Sequence, residues 1–321
     1  MPVVESTYRA PLLLGNRHVQ TCLPSLFRKV AGVAYEREEL DLADGAFLRL
    51  DWSRVGARRL AVLSHGWEGH TRRSYMLGMV RALNRAGWDC LCWLFRWCDG
   101  VTNRTPTCTH NGSVEDVAAV VEHGLASGRY DTAALVGFSM GANLNLNYLG
   151  RDPGRVPAEV RASVGFSVPL DLEGCSRALM QTANTFYRRR FLDSLGAKIH
   201  RMAGAFPDRV DPAGVEEIVD FADFDERYTA PLHGFADGAD YRRRSSSLAV
   251  LDRVRVPALI VNAANDSFLS PACYPYALCG RNPSLFLEVP HTGGHCGFVD
   301  FGGDEYWSEV RARGFLAEMV P

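Results

Sequence analysis

Apolar residues in this chain first form a pair of short segments and then recur as solid runs separated by helix-like stretches. Residues 33–42 and 46–52 read as two antiparallel strands turned at Asp44-Gly45. From residue 60 onward the runs at 60–64, 88–95, 131–138, 161–167, 256–262 and 284–289 read as buried strands. Helical patterns at 75–85, 114–125 and 142–149 lie between the earlier ones. Strands alternating with helices predict an α/β fold: a mostly parallel sheet covered on both faces. The alternation stops after Val168-Pro169-Leu170. Residues 171–247 show no strand pattern, but 178–187 and 191–202 read as helices carrying Leu179, Met180, Phe186, Tyr187 and Phe191. This segment is expected to form a helical cap over the C-terminal ends of the strands, within one domain spanning residues 1–321.

The chemistry starts at Gly137-Phe138-Ser139-Met140-Gly141, a Gly-x-Ser-x-Gly stretch between a predicted strand and a predicted helix. A serine on so tight a turn is pushed out of the sheet with its hydroxyl exposed, and the glycines leave room for the turn. That hydroxyl is a weak nucleophile until a base takes its proton and a third group holds the base. Asp266 follows the strand at 256–262, and His295 follows the strand at 284–289, in the chain order acid then histidine. Asp266 is therefore read as the acid and His295 as the base, in preference to His291. The early strand at 60–64 runs into Ser64-His65-Gly66-Trp67. The main-chain N–H groups of Trp67 and Met140 are the candidate oxyanion donors. His65 and His70 lack the carboxylate or cysteine partners that a metal site needs, so no metal is expected.

Several longer stretches carry a resemblance. Gly15-Asn16-Arg17-His18-Val19-Gln20-Thr21 followed by Pro24 to Arg28, Phe95-Arg96-Trp97-Cys98-Asp99-Gly100, Tyr228 to Phe235, and Gly293-Gly294-His295-Cys296-Gly297-Phe298 resemble motifs of the YheT-like α/β-hydrolases, also called the embryogenesis-associated group. The resemblance implies an α/β-hydrolase fold and hydrolysis of esters or lipids. Trp97 stands where that family usually has glycine, and Ala142 replaces its second elbow glycine. Trp67 and Trp97 are expected to wall the substrate pocket.

Composition narrows the partners. The formal charge of -2 makes no electrostatic case for nucleic acid. Arg188-Arg189-Arg190 and Arg242-Arg243-Arg244 are the dense basic runs and read as solvated faces. Pro11-Leu12-Leu13-Leu14 is too short for a signal-peptide core or a membrane span, so the reading is a cytoplasmic protein without stable membrane insertion. The nine cysteines are irregularly spaced and read as free thiols, with Cys90 and Cys92 packed inside a strand. The expected activity is a serine hydrolase acting on a small-molecule or lipid ester without a cofactor. The alternatives are acyl transfer to an alcohol, prompted by a His-x4-Asp spacing from His295 to Asp300, thioester cleavage, and a non-catalytic binding protein.

Overall fold

The solid apolar runs become the strands of a single sheet. The computed structural model describes residues 3–320. Its nine strands are β1 (Val3–Val4), β2 (Glu36–Asp41), β3 (Phe47–Ser53), β4 (Arg59–Ser64), β5 (Asp89–Leu94), β6 (Thr132–Phe138), β7 (Val160–Phe166), β8 (Ala258–Val261) and β9 (Leu285–Glu288). They lie in the order β1-β9-β8-β7-β6-β4-β5-β3-β2. Every pair from β1 to β5 in that order is parallel. The opening hairpin adds the two antiparallel pairs at one edge, with Gly45 at φ +83° in its turn. The central strands are mostly apolar and buried because helices cover both faces; all six side chains of β5, Asp89 included, are buried.

Helices α1 (Arg17–Phe27), α2 (Ser74–Arg85), α3 (Val114–Leu125) and α4 (Met140–Arg151) precede β7. The apolar faces of α2, α3 and α4 fill two clusters, one on each side of the sheet. Buried aliphatic side chains such as Leu60, Val62 and Leu91 each contribute roughly 1.5–3 kcal/mol by leaving water. Between β7 and β8 the described chain is helical without strands, with α5 (Leu172–Leu179) and α6 (Thr185–Ala205) as its longer members. A third apolar cluster, including Tyr187, Leu195, Ile199 and Phe224, binds this segment together.

Local differences from expectation have physical reasons. The helix expected at 178–187 is two elements, because the chain turns between α5 and α6 through a short 3-10 segment, Thr182–Asn184. The Asn184 amide holds that corner by donating to the carbonyls of Ala178 and Ser267. Helix α1, strand β1 and the last helix, Trp307–Met319, complete the fold without having been anticipated from the pattern.

Candidate active site

The sheet order reverses between β4 and β6, and the candidate residues gather at the C-terminal ends of the strands beside that point. Ser139 sits between β6 and α4 at φ 52° and ψ -121°, a conformation that a side-chain-bearing residue adopts only under constraint. The constraint is packing. A Cβ on Gly137 would lie 2.5 Å from Ala142 Cα, and one on Gly141 would lie 2.3 Å from the Ser64 carbonyl oxygen. Glycine at both positions lets α4 start directly against β4 and β6. The Ala142 methyl is accommodated because Gly165 stands opposite; a Cβ there would lie 3.0 Å from it.

Ser139, His295 and Asp266 meet from three distant parts of the chain. His295 Nε2 lies 2.9 Å from Ser139 Oγ, and His295 Nδ1 lies 2.8 Å from Asp266 Oδ2. The Asp266 carboxylate is fully buried, and its other oxygen accepts the Phe268 N–H at 3.0 Å. With Nδ1–H donated to the aspartate, Nε2 is left free to accept the serine proton. His291 is exposed and lies outside this chain of hydrogen bonds.

The histidine loop is held by residues to which the sequence assigned no part in the site. The His295 N–H donates to Thr21 Oγ1 on α1, and the Cys296 N–H donates to Ser167 Oγ. Pro24 leaves the Gln20 carbonyl without its helical donor, and Gly297 packs against that carbonyl, where a Cβ would come within 2.2 Å. Phe268 stacks on the His295 ring at 4.2 Å between centroids, and Tyr187 of α6 braces Phe268 edge-on at 4.8 Å. The two motifs 15–21 and 293–298 were both visible in the sequence; their mutual contact was not.

The loop after β4 is equally constrained. His65 is fully buried, with Nδ1 donating to the Gly66 carbonyl at 2.7 Å and Nε2 accepting the Phe95 N–H at 3.2 Å. Burial pushes its pKa down to about 3, so it is a neutral hydrogen-bonding strut. The N–H groups of Trp67 and Met140 have no acceptor among the described residues, and both residues border the cavity above Ser139. Three side chains at spacings i, i+3 and i+7 on α6 hold this loop. Phe191 stacks on Trp67 at 5.0 Å, Ser194 Oγ donates to Glu68 Oε2 at 2.5 Å, and Lys198 pairs with Glu68. Burial works against both charges, yet their pairing holds the Glu68 carboxyl below its ordinary range and the Lys198 ammonium above its own.

Lys198→Met would leave Glu68 buried and unpaired. It is expected to cost about 3–5 kcal/mol of stability, and Glu68→Gln/Lys198→Met should recover most of that. Denaturant unfolding of the two variants checks this; equal losses in both would show that the pair's charges are not the cause.

A cavity of about 520 Å³ opens over Ser139 and His295. Leu179, Phe186, Tyr187, Phe191, Phe221 and Phe268 give it an apolar wall, while Asn111, Asp225, Tyr241 and Arg242 form a polar part. Trp67 lines it as expected. Trp97 does not: it is 1% exposed in the cluster under the cap, with its indole N–H donating to the Thr105 carbonyl at 3.1 Å. Its φ of +67° turns the side chain into that cluster, so its expected place in the pocket wall is corrected to packing. Among the described residues no group of His, Cys, Asp and Glu is arranged to hold a metal ion.

These features agree with comparison to known proteins. The alpha/beta hydrolase fold family model matches residues 62–301, and the chain belongs to that family. Within it the chain is 32% identical over 316 residues to YheT of Escherichia coli (strain K12), a candidate esterase, covering 95% of this chain and 91% of that protein. It is 28% identical over 311 residues to human phospholipase ABHD3, covering 93% of this chain and 75% of that one. The solved esterase Pf2001 of Pyrococcus furiosus shares the fold with a TM-score of 0.61 at 16% identity, covering 92% of this chain and 97% of that one. The protein is thus a hydrolase of the YheT-like group.

Proposed function

We propose that this protein hydrolyses carboxylic esters of short-to-medium acyl chain length through an acyl-enzyme on Ser139. Ser139 Oγ attacks the ester carbonyl while His295 Nε2 takes its proton, and Asp266 stabilises the resulting imidazolium. The main-chain N–H groups of Trp67 and Met140 receive the oxyanion. His295 then protonates the leaving alcohol, and a water molecule, activated by the same histidine, releases the acid. The strongest support is the unbroken hydrogen-bonded chain from Asp266 through His295 to Ser139 at the wall of an apolar cavity. Asp300 does not extend that chain; its carboxylate accepts the Gly302 N–H at 2.8 Å, so the His-x4-Asp spacing gains no support as an acyl-transfer device. Nine free thiols fit work in a reducing cytoplasm.

The size of the cavity sets the test. Each methylene that enters the apolar wall should improve transition-state binding by up to ~0.8 kcal/mol until the space is full. Across p-nitrophenyl esters from acetyl to palmitoyl, kcat/KM is therefore expected to rise to a short-to-medium optimum and then fall. A flat or steadily falling profile would remove the acyl-chain part of the proposal and favour a small polar ester.

A further inference from the structure

Helix α1 is built the wrong way round for a helix on the surface of a globular protein. Its buried residues are Gln20 and Pro24, whereas Val19, Leu26 and Phe27, at spacings i, i+7 and i+8, face solvent. Leu26 is 68% exposed and Phe27 71%, and just before the helix Leu12 and Leu13 are 91% and 90% exposed. Twelve large apolar side chains are exposed among the described residues, and five of them fall within the sixteen positions 12–27. Scattered exposed apolar residues are ordinary, but such a concentration marks a surface that something covers.

One end of this apolar stretch, at Leu26, reaches the mouth of the cavity. Leu26 lines it together with Phe186, which is itself 64% exposed. The face of α1 meets the start of α6 there, since His18 Nδ1 and Cys22 Sγ lie 3.2 and 3.4 Å from the Tyr187 hydroxyl.

Charge says what covers it. The chain as a whole carries a formal charge of -2. Yet the three segments that meet at the mouth, residues 6–35, 69–88 and 174–192, contain no Asp or Glu. Within them Arg9, Arg17, Lys29, Arg72, Arg73, Arg81, Arg188, Arg189 and Arg190 form no ion pair among the described residues, while Arg28, Arg85 and Arg177 are paired. Arg72, Arg73 and Arg190 line the cavity itself. A second copy of the chain seated on this patch by two-fold symmetry would set cations against cations. An apolar stripe ringed by unpaired cations is instead complementary to a lipid surface that carries anionic head groups.

We infer that the cavity mouth between α1 and the start of α6, with the exposed apolar residues of α1 and positions 12–13, docks peripherally on an anionic lipid surface and draws its ester from that surface. The docking itself rests on exposed residues; only the ester drawn in rests on the hydrolase reading. Among the described residues no helix is long and apolar enough to cross a membrane, and none is needed, because contact by a few apolar side chains and several cations is reversible.

Sedimentation of the full chain with vesicles tests this. Wild-type protein is expected to bind vesicles of mixed phosphatidylcholine and phosphatidylglycerol, to bind pure phosphatidylcholine far less, and to dissociate as salt is raised. Leu13→Asp/Phe27→Asp and Lys29→Glu/Arg189→Glu should each lower the partition coefficient by ~10-fold or more while keeping the wild-type unfolding midpoint, because all four side chains are exposed. The Ser139→Ala protein should bind as wild type. Absence of binding to the anionic vesicles at low salt, or wild-type binding by both double variants, overturns the inference. So does a lipid-independent dimer that Phe27→Asp dissociates, which would assign the patch to a second copy. An active esterase that ignores vesicles defeats the docking alone; vesicle binding by a protein without esterase activity defeats the hydrolase reading alone.

Discussion

Ser139→Ala is expected to abolish labelling by a fluorophosphonate probe and to lower ester turnover by about 10⁴-fold or more, with the fold unchanged. The size of the effect follows from the arrangement. Once the hydroxyl is gone, His295 has no serine to deprotonate, and only binding and the two proposed main-chain N–H donors can still assist attack by water. The fold should survive because the positive φ at position 139 is imposed by Gly137, Gly141 and the packing of α4, not by the hydroxyl. A Ser139→Ala protein with a wild-type circular dichroism spectrum that still reacted with the probe would disprove the assignment of the nucleophile.

The two histidines of one loop should differ nearly as much from each other. His295→Ala removes the group 2.9 Å from Ser139 Oγ and is expected to cost as much as loss of the serine, since the members of such a unit fail together. His291 is four residues away, exposed, and makes no hydrogen bond among the described residues, so His291→Ala should stay within about twofold of wild type. Asp266→Asn keeps the shape but offers an amide where Nδ1–H needs an acceptor; turnover should fall by roughly 10³–10⁴-fold through the wrong imidazole tautomer. Steady-state kinetics on one p-nitrophenyl ester distinguish the three. A reversed ranking of His291→Ala and His295→Ala would mean that the wrong base has been chosen.

Three of the residues that hold His295 lie far from it in the chain. Thr21 comes from α1, Ser167 follows β7, and Phe268 lies beyond Asp266. No local signal marks that role. A threonine, a serine and a phenylalanine are ordinary at such positions, and their work exists only once β7, β8 and β9 stand side by side. Helix α1 was hidden for a related reason. Its buried face is Gln20 and Pro24, and its apolar residues point outward, so the hydrophobic period that reveals most helices is inverted. Trp97 misled in the opposite sense: in the loop that follows β5, it is turned by its left-handed backbone into the third apolar cluster.

Local pattern was sufficient wherever an element answers to its own residues. The apolar runs from residue 60 onward determined the strands. Helix–strand alternation determined the parallel sheet, and Gly-x-Ser-x-Gly between a strand and a helix determined the turn that presents Ser139. Chain order then singled out Asp266 and His295, because residues that follow late strands of a parallel sheet emerge at the same edge as that turn. Tertiary structure alone decided how the site is held. The clamp of α1 on the histidine loop, the stacking of Phe268, and the Glu68–Lys198 pair beneath Trp67 are contacts between segments tens to hundreds of residues apart. Such contacts depend on the packing of the whole sheet and cap, and spacing along the chain does not encode them.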